Sequence, residues 1–221
     1  MSPLDLMIEQ REVSLPVGAS SVQGALVVPA EASGIVLFAH GSGSSRHSPR
    51  NRRVAADLVE RGLGTLLLDL LTPEEEAVDA RTSELRFDIP FLADRLVAAT
   101  DWVLGEPRLG DLPLGFFGAS TGAAAALVAA DRRSRATRAV VSRGGRPDLA
   151  GTSLTGVQAP TLFIVGGNDP QVLRLNEDAM RLVPAETRLE VIPGATHLFE
   201  EPGAMDEVER LAGDWFKTYL R

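Results

Sequence analysis

Short, nearly continuous apolar runs alternate with helix-like segments along most of this 221-residue chain. Runs without a polar residue at every second position predict strands that are covered on both faces, as in a parallel sheet. Their alternation with helices predicts an α/β fold with a mostly parallel central sheet and helices on both faces. The predicted buried strands are Gly34–Ala39, Gly64–Asp69, Leu112–Phe117, Arg138–Ser142, Thr161–Val165 and Arg188–Ile192.

The remaining elements are predicted from apolar spacing and from turn residues. Two further strands, Val13–Val17 and Gln23–Val28, open the chain, and the acidic segment Thr72–Asp88 is predicted as a surface loop or a short helix. The predicted helices are Asn51–Glu60, Ile89–Leu104, the alanine-rich segment that starts near Gly122, Leu173–Leu182 and Asp206–Leu220. Because single cores commonly reach ~200–250 residues before splitting, we expect one domain over residues 1–221.

Composition narrows the class of partner. The formal net charge of −8 disfavours binding to nucleic acids and to anionic membranes, and the arginines of segment 46–53 are expected to solvate a surface or to pair with acids. The absence of cysteine excludes disulfides, thiolate metal ligands and a cysteine nucleophile. The first residues lack the basic start and apolar run of a signal peptide. No apolar run approaches the ~20 residues that span a bilayer. We therefore expect a cytoplasmic protein, monomeric or homodimeric, that acts on a small molecule.

Polar or glycine-rich segments follow four of the predicted buried strands. Ligands of open α/β sheets bind at the carboxyl ends of the strands, so these segments are the candidates for a functional site. They are His40–Gly43, Gly118–Gly122, Gly166–Pro170 and Pro193–His197.

Ser120 is the candidate nucleophile. It lies in the middle of Gly118–Gly122, between a predicted strand and a predicted helix. A sharp strand-to-helix turn exposes a serine hydroxyl, and the flanking glycines keep side chains from colliding with the strand and the helix. The alternatives are a glycine-rich phosphate-binding turn or a simple tight connection.

A serine hydroxyl needs a neighbouring base to act as a nucleophile. His197 follows the last predicted strand, and the order Ser120, Asp169, His197 matches the chain order of one hydrolase architecture. His197 would take the serine proton, and Asp169 would orient the imidazole. Asp69, which also ends a strand, is the competing acid. The alternative for His197 is a packing or surface role.

Acyl transfer also requires hydrogen-bond donors for the negative charge that develops on the carbonyl oxygen. The N–H of Thr121, at a helix N-terminus, and the N–H of Ser42 are the candidate oxyanion-hole donors, with Gly43 as the alternative to Ser42. Gly41 and Gly43 are also candidates for substrate binding. The side chain of His40 is expected to support this loop through hydrogen bonds rather than to act in catalysis.

These strand-end segments together resemble those of the α/β-hydrolase superfamily, in its small, capless, dienelactone-hydrolase-like branch. The resemblance extends from about Val13 to Leu220 and implies an α/β-hydrolase fold with little or no cap domain. Dienelactone hydrolases proper use a cysteine nucleophile; Ser120 stands in that place here, which implies a serine esterase. Segment 44–51 also resembles bacterial proteins of this branch, some of them fused to phosphoribosyltransferase domains, and we expect no such second domain in this chain.

We therefore expect a serine hydrolase that cleaves small or short-chain carboxylic esters through an acyl-enzyme, without a metal or an organic cofactor. The segment between Val140 and Thr161, where many relatives insert a lid, is short. Arg143 is the candidate for a substrate contact, although a surface position is favoured for both Arg143 and Arg146. The alternatives are a thioesterase, lactonase or acyltransferase with the same residues, or a hydrolase-shaped binding protein without catalytic activity.

Overall fold

An eight-stranded sheet organises the molecule, which is described over residues 8–221 of a computed structural model. The strands are β1 (Ile8–Val17), β2 (Ser20–Pro29), β3 (Ile35–Ala39), β4 (Gly64–Leu68), β5 (Leu114–Ala119), β6 (Thr137–Arg143), β7 (Thr161–Gly166) and β8 (Thr187–Ile192). The helices are α1 (Pro49–Glu60), α2 (Pro73–Thr82), α3 (Ile89–Gly105), α4 (Thr121–Arg132), α5 (Pro170–Met180) and α6 (Ala204–Tyr219). No helix within residues 8–221 is both long and apolar enough to cross a bilayer.

The strand order is β1-β2-β4-β3-β5-β6-β7-β8. The strands from β4 to β8 run parallel, while β1 and β2 form an antiparallel hairpin that joins the sheet through β4. The chain passes from β3 outward to β4 and then returns to place β5 on the other side of β3. This reversal opens a crevice at the carboxyl ends of β3 and β5, where open α/β sheets bind their ligands. The predicted fold, a mostly parallel sheet with helices on both faces, is confirmed.

Side chains of the central strands alternate between two hydrophobic cores, one on each face of the sheet. In β3, Ile35, Leu37 and Ala39 belong to the core that contains side chains of α3 and α4. Val36 and Phe38 belong to the core that contains side chains of α1 and α6. All five residues are buried, which explains why the sequence shows a continuous apolar run instead of an alternating one.

The opening hairpin is longer than the sequence predicts. The pairing of β1 with β2 continues from Val17 and Ser20 out to Ile8 and Pro29, whereas apolar alternation predicts a first strand that begins only at Val13. The outer residues of β1 are mostly exposed and polar, so backbone pairing rather than burial maintains this part of the strand. A burial pattern in the sequence cannot detect such a segment.

Most of the acidic segment predicted as a loop or short helix is helical. Helix α2 begins after Thr72, whose hydroxyl accepts a hydrogen bond from the N–H of Glu75 while the Glu75 carboxylate accepts one from the N–H of Thr72. This capping box, with three glutamates in the first turn, stabilises the helix start. The 3-10 segments Leu85–Phe87 and Pro147–Gly156 lie in the connections between these helices and strands. The second segment lies between β6 and β7, at the position where many relatives insert a lid.

The turn between β5 and α4 packs at backbone-contact distance on the end of β3. A Cβ atom on Gly122 would lie 2.4 Å from the carbonyl oxygen of His40 and 2.5 Å from that of Ala39. A Cβ atom on Gly118 would lie 2.4 Å from the Cα atom of Ala123. Both positions therefore require glycine for steric reasons, and the turn is fixed against its neighbour.

We expect Gly122→Ala to destabilise the protein by ~1–3 kcal/mol, since the added methyl group overpacks a site bounded by backbone atoms. For a chain of this length this corresponds to a fall in Tm of ~2–12 °C, measurable by thermal unfolding. Gly105→Ala is the matched control, because a Cβ atom at Gly105 has no neighbour within 4 Å, and its Tm should stay the same or rise. An unchanged Tm in Gly122→Ala would show that the approach to β3 is not tight.

Candidate active site

Two of the predicted strand-end segments meet at the crevice between β3 and β5. Ser120 follows β5, and the loop Gly41–Ser44 follows β3. A cleft of about 230 Å³ lies above them and is also lined by His197 from the last strand-end loop. The complete lining is Gly41, Ser42, Ser44, Ser48, Arg50, Asn51, Ala119, Ser120, Arg143, His197 and Leu198.

The backbone of Ser120 is strained. Its φ angle is +52° and its ψ angle −121°, a conformation that costs a residue with a side chain roughly 1–3 kcal/mol. Three hydrogen bonds hold it: Ser120 N–H donates to the carbonyl of Arg143 at 3.2 Å, and the Ser120 carbonyl accepts from the N–H groups of Ala123 and Arg146, each at 3.1 Å. The surrounding structure thus fixes a turn that places the serine at the mouth of the crevice.

The side chains of His197 and Asp169 are in direct contact. His197 Nδ1 lies 2.7 Å from Asp169 Oδ2. Asp69, the competing acid, instead accepts a hydrogen bond from the N–H of Arg46 at 2.8 Å and forms an ion pair with the same residue's guanidinium. The structure therefore brings Asp169, and not Asp69, to His197.

The loops that carry Asp169 and His197 are joined by their own backbone groups. The N–H of Asn168 donates to the carbonyl of Ala195 at 2.9 Å, and its side-chain amide donates to the carbonyl of Gly194 at 2.8 Å. Asp169 Oδ1 also accepts from the N–H of Val172 and so caps α5. These bonds hold the carboxylate and the imidazole at a fixed separation.

The candidate oxyanion-hole residues lie side by side. Thr121 is the first residue of α4, where helix N–H groups have no intrahelical acceptor. The N–H of Ser42, however, donates to Thr121 Oγ1 at 3.0 Å. The Ser42 donor is thus in the predicted neighbourhood but is occupied by a side chain, a contact that the sequence did not indicate.

His40 is buried beneath the Gly41–Ser44 loop and hydrogen bonds through both ring nitrogens. Nδ1 lies 2.9 Å from the carbonyl oxygen of Gly41, and Nε2 lies 3.1 Å from the backbone nitrogen of Leu70. The amide can only donate, so Nε2 accepts and Nδ1 carries the proton. Burial lowers the pKa of His40, although the Gly41 carbonyl and the charge of Asp69 act in the opposite direction. The imidazole is therefore neutral and links the end of β3 to the end of β4 by hydrogen bonds.

The candidate substrate-binding glycines border the cleft. A Cβ atom on Gly41 would lie 3.1 Å from the Cβ atom of Ser120, a tight contact, so glycine here eases the close approach of the loop to the serine. Gly43 has a φ angle of +68°, which favours glycine. Both glycines also line a second cavity of about 220 Å³, on the side of the loop where α2 and Leu92 lie.

The favoured surface position of Arg143 is wrong. Arg143 is only 7% exposed, and it lines the same cleft as Ser120 and His197. The parallel strand β6 carries it into the crevice behind Ser120. Arg146 is instead half-exposed and forms an ion pair with Asp148 at 2.7 Å.

Ser48 and Arg50 are among the cleft residues that the sequence did not predict as site residues. Ser48 caps α1 and Pro49 is its first residue, so the helix starts two residues earlier than predicted and brings Arg50 to the cleft. The serine–proline pair is a helix-start signal that could have revealed this.

Among residues 8–221, no three histidine, aspartate or glutamate side chains lie close enough to hold a metal ion. The expectation of a reaction without metal or cofactor stays a prediction.

The model of the dienelactone hydrolase family matches residues 22–220. The chain belongs to this family. It is 58% identical to the dienelactone hydrolase from Anabaena variabilis, whose crystal structure superposes with a TM-score of 0.95 over 97% of this chain and 100% of that one. Est1E from Butyrivibrio proteoclasticus, at 14% identity and a TM-score of 0.78, shares the fold, covering 94% of this chain and 98% of its own.

Two curated relatives from Mycobacterium tuberculosis, strains CDC 1551 and H37Rv, are named "Putative phosphoribosyl transferase". Each is 56% identical over 216 residues, which is 98% of this chain and 48% of theirs. The chain thus spans about half the length of these relatives. The match to the dienelactone hydrolase family, over residues 22–220, falls largely within the part of the chain that these relatives share with it.

Because burial lowers the pKa of His40, the folded protein resists its protonation while the unfolded chain accepts the proton near its ordinary pKa. Stability should therefore be fully present above about pH 6.5 and decline as the pH falls below it. His40→Gln keeps a donor and an acceptor but does not titrate. Thermal unfolding between about pH 7.5 and 5.5 should show a shallower loss of Tm in this variant, by a few degrees. If Tm falls equally with pH in the two proteins, His40 does not resist protonation in the folded state.

Proposed function

We propose that this member of the dienelactone hydrolase family is a serine hydrolase that cleaves small or short-chain carboxylic esters through an acyl-enzyme. The proposal rests on one observation above all. Ser120 occupies a strained strand-to-helix turn in the same cleft as His197, whose Nδ1 lies 2.7 Å from Asp169 Oδ2. Nucleophile, base and orienting acid are recognised by this kind of arrangement rather than by sequence position.

In the first step Ser120 Oγ attacks the ester carbonyl while His197 Nε2 takes its proton. The contact of Nδ1 with Asp169 fixes the tautomer in which Nε2 is free to act as a base, and it stabilises the imidazolium that forms. The C–O bond to the alcohol then breaks, and His197 returns the proton to the leaving oxygen. Water, deprotonated by the same ring, next attacks the acyl carbon and releases the acid from Ser120.

The negative carbonyl oxygen is stabilised by backbone N–H groups. Thr121 supplies one at the N-terminus of α4, where the helix dipole adds to the effect. Ser42 supplies the second once its N–H exchanges Thr121 Oγ1 for the oxyanion. We propose that this exchange occurs by rotation of Thr121 about χ1, which moves Oγ1 from one staggered position to another.

The dimensions of the site favour small substrates. The two cavities that border the Gly41–Ser44 loop have volumes of about 230 and 220 Å³, below the ~300–1,000 Å³ of ordinary small-molecule sites. The connection between β6 and β7 contains only a 3-10 segment.

We propose that the transferase name of the mycobacterial relatives refers to the half of those proteins that this chain does not match.

A fluorophosphonate probe should label the wild-type protein at a single residue, and Ser120→Ala should lose the label completely. The reason is that the probe reacts only with a serine activated by a base. Mass spectrometry of the labelled peptide identifies the residue, and ester hydrolysis followed in parallel should be lost in Ser120→Ala and His197→Ala. A folded wild-type protein that takes no label would favour the hydrolase-shaped binding protein instead.

Asparagine substitutions distinguish the two candidate acids. Asp169→Asn should lower kcat by ~10³–10⁴-fold, because the amide no longer holds the imidazole in the tautomer with a free Nε2. Asp69→Asn, the matched control, should keep kcat within a factor of about three, because Asp69 pairs with Arg46 and an exchange of this kind usually alters only stability. The reverse ranking in steady-state kinetics would transfer the orienting role to Asp69.

A further inference from the structure

Arg143 carries the least compensated charge in the described part of the chain. Among residues 8–221 it is the one arginine that is buried and has no carboxylate partner; the other buried arginine, Arg95, pairs with Glu75. Its Nε atom is buried without a hydrogen-bond partner. Burial, and then the like charge of Arg50, lower the pKa of Arg143 to about 10, so the guanidinium remains protonated at neutral pH. A buried charge without a partner is unfavourable unless a ligand completes it.

The surroundings of Arg143 in the cleft are also positive. Arg50 lines the same space, and its Nε is likewise buried without a partner. Its Nη1 lies 3.4 Å from Glu200 Oε1 at an exposed position, where an ion pair contributes little. Arg50 also belongs to the first turn of the twelve-residue helix α1, whose dipole attracts anions. Pro49 has no N–H, and the N–H of Asn51 already donates to Ser48 Oγ, so the backbone of this helix start contributes mainly its dipole. Ser44 adds a hydroxyl to the lining.

We propose that this part of the cleft, formed by Arg143, Arg50 and the N-terminus of α1, binds a phosphate group of the substrate. The inference rests on the proposed function and gives it a substrate class: a small carboxylic ester that bears a phosphate monoester. The phosphate is held and not transferred, while the ester carbonyl reacts at Ser120. At about 230 Å³ the cleft has room for a phosphate and a short carbon skeleton.

The number of donors favours phosphate over carboxylate. One guanidinium can bind both oxygens of a carboxylate through its two parallel N–H donors. Here donors come from three elements, namely the end of β6, the first turn of α1 and the loop after β3. A phosphate monoester has three terminal oxygens and a charge of about −1.5 to −2 at neutral pH, which matches two guanidinium groups and a helix N-terminus.

A purely structural role for Arg143 makes a different prediction. Its guanidinium lies 5.7 Å from the centroid of the Phe199 ring, a contact that could serve packing alone. If packing were its purpose, Arg143→Met would lower Tm. If it binds a ligand, Arg143→Met removes an unpaired buried charge, and the Tm of the ligand-free protein should stay the same or rise.

The test uses inorganic phosphate as the probe, with ionic strength kept constant by sodium chloride. Saturating phosphate should raise the Tm of the wild-type protein by roughly 5–11 °C at about one hundred times its Kd. Arg143→Met should weaken the phosphate Kd by roughly 10- to 100-fold, and Arg50→Met should weaken it in the same direction. Arg146→Met is the matched control, because its side chain pairs with Asp148 outside the cleft, and it should keep the wild-type Kd.

Phosphate should also slow fluorophosphonate labelling of Ser120 in the wild type but not in Arg143→Met, since the two sites share one cleft. A wild-type protein that is labelled at Ser120 but shows no Tm shift with phosphate would overturn the phosphate site and leave the hydrolase proposal intact. A phosphate-dependent Tm shift without labelling of Ser120 would overturn the hydrolase proposal and leave the phosphate site intact. Acetate that stabilises the protein as strongly as phosphate would overturn the assignment to a phosphate group.

Discussion

The turn at Ser120 determines where every other part of the site must lie. A residue with a side chain adopts a φ of +52° at a cost of roughly 1–3 kcal/mol. Hydrogen bonds from neighbouring backbone groups hold Ser120 in this conformation. Gly118 and Gly122 bring β5 and α4 within backbone contact of each other and of β3. The chain therefore turns sharply at the topological reversal of the sheet. The serine hydroxyl, the free N–H groups of α4 and the Gly41–Ser44 loop consequently meet at one point.

Topology also explains why one of two equivalent-looking aspartates contacts the histidine. Asp69 and Asp169 both follow parallel strands, so both lie at the same edge of the sheet. Strand β7 is the direct neighbour of β8, and their loops exchange backbone hydrogen bonds that bring Asp169 to His197. Strand β4 lies beyond β3, on the far side of Ser120. Chain order alone suggests Asp169 as the candidate acid, and strand order in the sheet makes its contact with His197 possible.

Those features that depend on local sequence could be predicted, and those that depend on distant partners could not. The buried strands, the glycine-flanked turn at Ser120 and most helices follow from apolar runs and turn residues that are visible in short windows. The outer half of β1 depends on pairing with β2, and the bond from Ser42 N–H to Thr121 joins residues 79 positions apart. The start of α1 at Pro49 is marked by a serine–proline pair, whereas apolar spacing alone predicts a start two residues later.

The burial of Arg143 is the clearest case in which composition misleads. In a chain with 30 acidic and 22 basic residues, an arginine is expected to find a carboxylate, and most arginines within residues 8–221 do so at the surface. Arg143 ends β6 instead, in register with Ala119 of the neighbouring strand, so the sheet itself carries the side chain into the crevice behind Ser120. A fold selected for stability alone would place an apolar residue there. A buried guanidinium without a carboxylate partner, in the cleft that also contains Ser120, is therefore the basis for proposing that this cleft recognises an anion.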